Sequence, residues 1–180
     1  MHKAVRLWPL ISVTAMVLLG LAVGRRSTAL DDWFQSHGHS PARWLQVLMD
    51  PRVIAVVLVA CVAIAVSRRR WRLAAATVLA PIVGVALVGL LKPLFDRDMG
   101  GGLAYPSGHT TFAVIVLGMA VLVAGVAWWA VLVAIVYCLL GMVGLGVSYH
   151  YFTDTVGAML LGTAIVCVAA LTSGHTQHRT

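Results

Sequence analysis

Three short clusters in this 180-residue chain combine residue types that can do chemistry together. His150 and Asp154 stand at i and i+4, a spacing that predicts one shared helix face. A carboxylate bonded to one imidazole nitrogen fixes the tautomer and frees the other nitrogen to attack an electrophile. Tyr105-Pro106-Ser107-Gly108-His109 opens an apolar run. Ser107 is a good N-cap, and a helix N-terminus offers free N–H groups and a positive dipole end to an anion. Gly108 lets an anion approach the backbone, and His109 on the first turn is placed to give a proton to a leaving oxygen. Lys92-Pro93-Leu94-Phe95-Asp96-Arg97-Asp98 adds cations. Taken singly, each cluster has a plainer reading. Lys92 can snorkel to an interface, Ser107 can cap an ordinary helix, and His150 and Asp154 can form a structural pair. Their co-occurrence in one chain favours chemistry.

The elements that must position them are apolar. The chain is 61% hydrophobic and 11% charged, against about 25% charged in soluble domains. The apolar residues come in long blocks at 8–24, 53–67 (reaching back to 50), 73–91, 107–126, 128–148 and 151–172. Blocks of this length predict membrane spans, so the expected fold is all-α: a six-span helical bundle in a single membrane domain, residues 1–180. The first block follows a basic start and ends in small residues, as a signal peptide does, but its length favours an uncleaved helix. Segment 25–49 is the one long polar connection, and its scattered Trp and Leu residues predict an amphipathic stretch at the interface, either a tether or a lid over the bundle. Pro81 is tolerable as a kink. The recurrent glycines predict close helix packing.

Net charge is +7. The basic residues lie between apolar blocks, which points to lipid headgroups and a bilayer and away from nucleic acid. The tightest basic cluster, Arg68-Arg69-Arg70-Trp71-Arg72, is expected on the cytoplasmic side together with Lys3, Arg6 and Arg179. All the acids, Asp31, Asp32, Asp50, Asp96, Asp98 and Asp154, then fall on the other side with the three clusters. Cys61, Cys138 and Cys167 sit singly in apolar blocks and predict neither disulfide nor metal site. His37 and His39 form a His-x-His pair without a third ligand nearby and are expected in a solvated loop.

Together the clusters resemble the signature of the type 2 phosphatidic acid phosphatases, a superfamily that includes bacterial prenyl-pyrophosphate phosphatases and vanadium haloperoxidases. Pro106-Ser107-Gly108-His109 matches in full, and Lys92, His150 and Asp154 match at their spacings. The resemblance implies a metal-independent hydrolase with no cofactor, acting on a lipid phosphate at the outer face of a bacterial plasma membrane. It implies His150 as nucleophile, Asp154 as its orienting acid and His109 as proton donor. Lys92, Ser107 and Gly108 would hold phosphate. Candidate substrates are a polyprenyl phosphate or pyrophosphate, a prenyl-linked sugar phosphate or a glycerolipid phosphate. Two motif arginines are missing: Met99, followed by Gly100, stands at the first position, and Gly144, preceded by Val143, at the second. Arg97 is the expected substitute phosphate ligand, with Arg25, Arg26, Arg43 and Arg52 as further cations. Rival readings are a phosphotransferase, a non-catalytic lipid-binding or assembly subunit, and a small transporter. Neither the lipid nor the oligomeric state is legible in the sequence.

Overall fold

The computed structural model describes residues 2–174; Arg179 lies outside them, as do the side chains of the first four residues. Seven α-helices account for most of the chain: α1 (His2–Val23), α2 (Ala29–Ser36), α3 (Pro51–Ser67), α4 (Trp71–Phe95), α5 (Gly108–Val123), α6 (Trp128–Gly146) and α7 (Phe152–Thr172). A 3-10 helix, Pro41–Met49, precedes α3, and a small hairpin, β1 (Asp98–Met99) and β2 (Gly102–Leu103), joins α4 to α5.

Four helical stretches are long and apolar enough to cross a membrane: Val5–Val23, Trp71–Phe95, Trp128–Gly146 and Phe152–Thr172. A fifth span arises if the 3-10 helix and α3, which meet at 41°, are counted together. Large apolar side chains point outward along these helices, among them Leu10, Leu18, Val56, Leu79, Leu90 and Val133. Such a surface suits lipid, not water, and the chain is an all-α membrane protein.

The sixth expected span is the exception. The apolar run 107–126 yields only the 16 residues of α5, about 24 Å of helix against a hydrocarbon core of about 30 Å. Ser107 is its cap, and Gly125 and Val126 take positive φ of 77° and 58° to end it in a turn. Helix α5 is the hub. It packs against α3, α4, α6 and α7, and Ala113, Ile115, Val116 and Met119 on it are fully buried. A helix covered by protein need not match the lipid thickness. Its approach to α7 depends on glycine at two crossings. A Cβ on Gly162 would lie 2.7 Å from Val114 Cγ1, and one on Gly118 would lie 2.5 Å from Val166 Cγ2, so neither position admits a side chain.

The polar connection forms two elements. Thr28 caps α2 through a capping box, in which Asp31 N–H donates to the Thr28 hydroxyl and Thr28 N–H to the Asp31 carboxylate. Phe34 of α2 then stacks on Phe152 at the start of α7, with ring centroids 4.0 Å apart and 7° between planes. The 3-10 helix lies along α6 with Met49 fully buried.

Candidate active site

The polar ends of α4, α5, α6 and α7 meet beneath this connection. Ser107 caps α5 as its residue type predicts. Its hydroxyl accepts from Thr110 N–H at 3.4 Å, and its own N–H donates to the carbonyl of Asp154 at 3.2 Å. That bond ties the start of α5 to the start of α7, and so ties the Ser107-Gly108-His109 cluster to the His150–Asp154 cluster.

His150 is not on α7. The helix begins at Phe152 with Tyr151 as its N-cap, which corrects the expectation of one helix face carrying both His150 and Asp154. The residue belongs instead to the tight turn that ends α6, where the N–H groups of Ser148, Tyr149 and His150 all donate to the carbonyl of Leu145 at 3.0–3.2 Å. The turn swings the imidazole toward α5, so that the His109 and His150 ring centroids are 5.8 Å apart. Tyr149 completes a triangle, 5.8 Å from His109 and 5.3 Å from His150. Burial, then the positive charges of His109 and Lys92, push the His150 pKa from 6.5 down to about 4. The imidazole is therefore neutral at pH 7, as a nucleophile must be. Its Nδ1 is buried without a hydrogen-bond partner among the described residues, and so is Oδ2 of Asp154. Lys92 stands in the last turn of α4, half-buried, with no hydrogen bond or ion pair among the described residues.

Arg97, expected on phosphate, is committed elsewhere. It is fully buried. Nη2 donates to Asp31 Oδ2 at 2.6 Å, and Nη1 to Asp154 Oδ1 at 3.0 Å and Thr153 Oγ1 at 2.8 Å. Its guanidinium carbon lies 4.5 Å from the Tyr151 ring centroid. The backbone explains why. Gly100 and Gly101, at φ 63° and 85°, make the tight turn that pairs β1 with β2, and Ala104 N–H closes on the Arg97 carbonyl at 2.7 Å. The glycines thus build a hairpin, and Arg97 is aimed inward from its base.

Asp31 is the residue that sequence reasoning passed over. It is fully buried and accepts from Thr153 N–H at 2.9 Å, from the Thr153 hydroxyl at 3.0 Å, and from Thr28 N–H and hydroxyl at 2.9 and 2.8 Å. Burial pushes its carboxyl up, but these hydrogen bonds outweigh burial and hold it below the ordinary value. The one local sign was Thr28-x-x-Asp31, a capping box, which marks a helix start and says nothing of a partner on α7.

Gly144, the second position where the resemblance would place an arginine, is closely covered. A Cβ on Gly144 would fall on the backbone of Leu45 and Gln46 in the 3-10 helix. The segment that roofs the site occupies the space a side chain at 144 would need.

Above His109 lies an open cleft of about 790 Å³, lined also by Gln35, His39, Arg43, Asp50 and Tyr149. Of the four other cations considered, Arg43 lines this cleft, Arg25 pairs with Asp96 at 3.1 Å on the surface, and Arg26 and Arg52 are exposed. No group of three or more His, Cys, Asp or Glu among the described residues could hold a metal ion. Gly108 is half-buried, with only Val88 near where a Cβ would be. Comparison with known protein families, curated proteins and solved structures returns no match.

Proposed function

We propose that the chain is a membrane phosphatase that hydrolyses a lipid phosphate or pyrophosphate through a phosphohistidine on His150, within a six-span arrangement whose polar end faces away from the cytoplasm. The observation that carries this reading is the pairing of the His109 and His150 rings, 5.8 Å apart, at the capped N-terminus of α5. One imidazole is held neutral, the second faces it, and backbone N–H groups and Lys92 supply positive charge beside both.

In the reaction, His150 Nε2 attacks phosphorus and the bond from phosphorus to the lipid oxygen breaks. His109 gives its proton to that oxygen. Water then attacks phosphorus, His109 takes a proton from the water, the phosphorus–nitrogen bond breaks and inorganic phosphate leaves. Asp154 favours the tautomer with the proton on Nδ1 once its Oδ2 closes on His150 Nδ1, the two being unbonded in the free chain. Phosphoryl transfer asks mostly for positioning and for positive charge around the equatorial oxygens. Lys92, the α5 N-terminus and Arg43 at the cleft wall are the groups for that task, since Arg97 is committed to carboxylates.

The test is phosphate release by the purified full chain from polyprenyl phosphate, polyprenyl pyrophosphate, a prenyl-linked sugar phosphate and phosphatidic acid. Release is expected from at least one, with a loss of about 10³-fold or more in His150→Ala. Tight lipid binding without release would overturn the enzyme reading in favour of a lipid-binding subunit. Release that requires an acceptor other than water would replace hydrolysis by phosphotransfer.

A further inference from the structure

We infer that the cleft above His109 receives the leaving group of the reaction, and that this group is a sugar: the reacting phosphate sits on a polyhydroxylated head that stands between it and the lipid. The inference rests on the phosphatase reading and narrows its substrate class.

The position of the cleft says which part of a substrate it meets. Its lining includes His109 and Tyr149 but not His150, Asp154 or Lys92. His109 therefore borders the cleft and also faces the His150 ring, 5.8 Å away. In phosphoryl transfer the nucleophile and the leaving oxygen lie roughly in line through phosphorus. A phosphate attacked by His150 thus presents its leaving oxygen on the side of His109, and whatever that oxygen carries extends into the cleft. The bond from phosphorus to the sugar oxygen breaks, phosphorus joins His150 Nε2, and the freed oxygen keeps the His109 proton as a hydroxyl.

The size and lining of the cleft say what the leaving group is. At about 790 Å³ it falls in the range of about 300–1,000 Å³ that holds a whole small molecule, well beyond one phosphate. The side-chain carboxamide of Gln46 makes no hydrogen bond among the described residues, and Nε2 of Gln35 reaches only the weakly accepting Met99 Sδ at 3.8 Å. Asp50 Oδ1 accepts from Arg52 N–H at 2.7 Å, which leaves Oδ2 for another donor. Two carboxamides and a carboxylate offer donors and acceptors side by side, which matches hydroxyl groups, since each hydroxyl both donates and accepts. A prenyl or acyl chain joined directly to the leaving oxygen would desolvate these groups and give nothing in return. A second phosphate joined there would meet the Asp50 carboxylate as well as Arg43. Trp44 and Tyr149 add exposed aromatic faces to the lining, against which a sugar ring can lie. Trp44 and Val47, exposed on the 3-10 helix, give a lipid chain an apolar way out of the same cleft.

The test measures phosphate release by the full chain in detergent from three lipids of one prenyl length: the prenyl phosphate, the prenyl pyrophosphate, and a prenyl-phosphate-linked sugar bearing a terminal phosphate. The sugar-bearing lipid is expected to have the highest kcat/KM, by about 10²-fold, because a site built to bond hydroxyls discriminates against ligands that lack them. Gln35→Leu/Gln46→Leu is expected to cut that preference about 10–100-fold, chiefly through KM. A kcat/KM for the sugar-bearing lipid equal to or below that of either other lipid would overturn the proposal, as would a preference that survives in the folded double variant. If the double variant does not fold, Gln46→Ala alone is read by the same ratio, with a loss of about tenfold expected and an unchanged ratio overturning the proposal. If the wild type releases no phosphate from any of the three, the phosphatase reading fails, and binding judges the cleft separately. Quenching of Trp44 fluorescence, with Trp44→Phe as reference, by the sugar-bearing lipid and not by the prenyl phosphate would sustain the sugar site; equal quenching by both, or none, would overturn it.

Discussion

The two ends of the helical bundle handle charge in opposite ways. At one end, Asp31, Arg97 and Asp154 are fully buried and bonded to one another. At the other, the turn between α3 and α4 exposes Arg68 and Arg69, and the first turn of α4 exposes Arg72, with no acidic partner among the described residues. Every acid of the chain lies in the connections and helix ends of the first end. A buried charge must be matched because its desolvation is costly, whereas an exposed one is paid for by water. The difference teaches which arginines can be tested as structure and which cannot. Arg97 belongs to the site's scaffold, and the basic turn belongs to the surface.

The sharpest way to break this contrast is Arg97→Ala. It would strand two carboxylates in the interior, and removing one partner of a buried ion pair costs about 3–5 kcal/mol. Unfolding in detergent is expected at a much lower temperature, with loss of activity following loss of fold. A variant that keeps both its melting temperature and its activity would show that the buried network carries nothing. Next in size, Lys92→Gln should leave the fold intact, since Lys92 has no ion pair among the described residues to lose. It should cut phosphate release by about 10²–10³-fold, the usual effect of removing one charge-stabilising donor. A fall in stability in place of rate would make Lys92 part of the scaffold.

A pH titration comes third and separates His150 from Asp31. The His150 pKa lies near 4 in the folded chain, against an ordinary 6.5. Between those values the unfolded chain holds the extra proton on His150, so the His150 contribution to stability falls as pH drops from about 6.5 towards 4. The carboxyl of Asp31 is held below its ordinary 3.8, so its contribution is present above that value and is lost only at still lower pH. His150→Gln should remove the His150 contribution and leave that of Asp31. The difference in thermal denaturation between the wild type and His150→Gln from pH 4 to 7 reads the His150 contribution, and a difference that does not change with pH would assign no such contribution to His150.

Much of this arrangement was legible in residue order because it is local. Long apolar blocks become α1, α3, α4, α6 and α7, since helix formation in lipid follows from the backbone's need for internal hydrogen bonds. Ser107 caps α5 because a cap needs only its own next three residues. The rest is non-local. Arg97 meets Asp31 across 66 positions and Asp154 across 57, and no spacing rule links residues so far apart. The family-like motif also misdirected attention, because an arginine near a phosphate site reads as a phosphate ligand unless a carboxylate claims it first. The span expected at 107–126 shows the same limit: apolar composition does not distinguish lipid-facing residues from the protein-facing ones of α5.

The smallest expected effect is at the basic turn. Arg68→Gln and Arg69→Gln remove exposed charges, and surface changes of this kind stay within about 0.5 kcal/mol. Arg69 adds one qualification, its φ of 54°, but Gln tolerates that conformation no worse than Arg. Arg70 is the internal control. Its Nη1 donates to the carbonyl of Val123 at 3.2 Å, joining the turn before α4 to the end of α5, so Arg70→Gln should cost more than either neighbour, by about 1 kcal/mol. Melting curves of the three variants in one detergent give the ranking. Equal losses for all three would mean that the turn is held as a unit and that charge at this end, too, is structural, which would erase the contrast between the two ends.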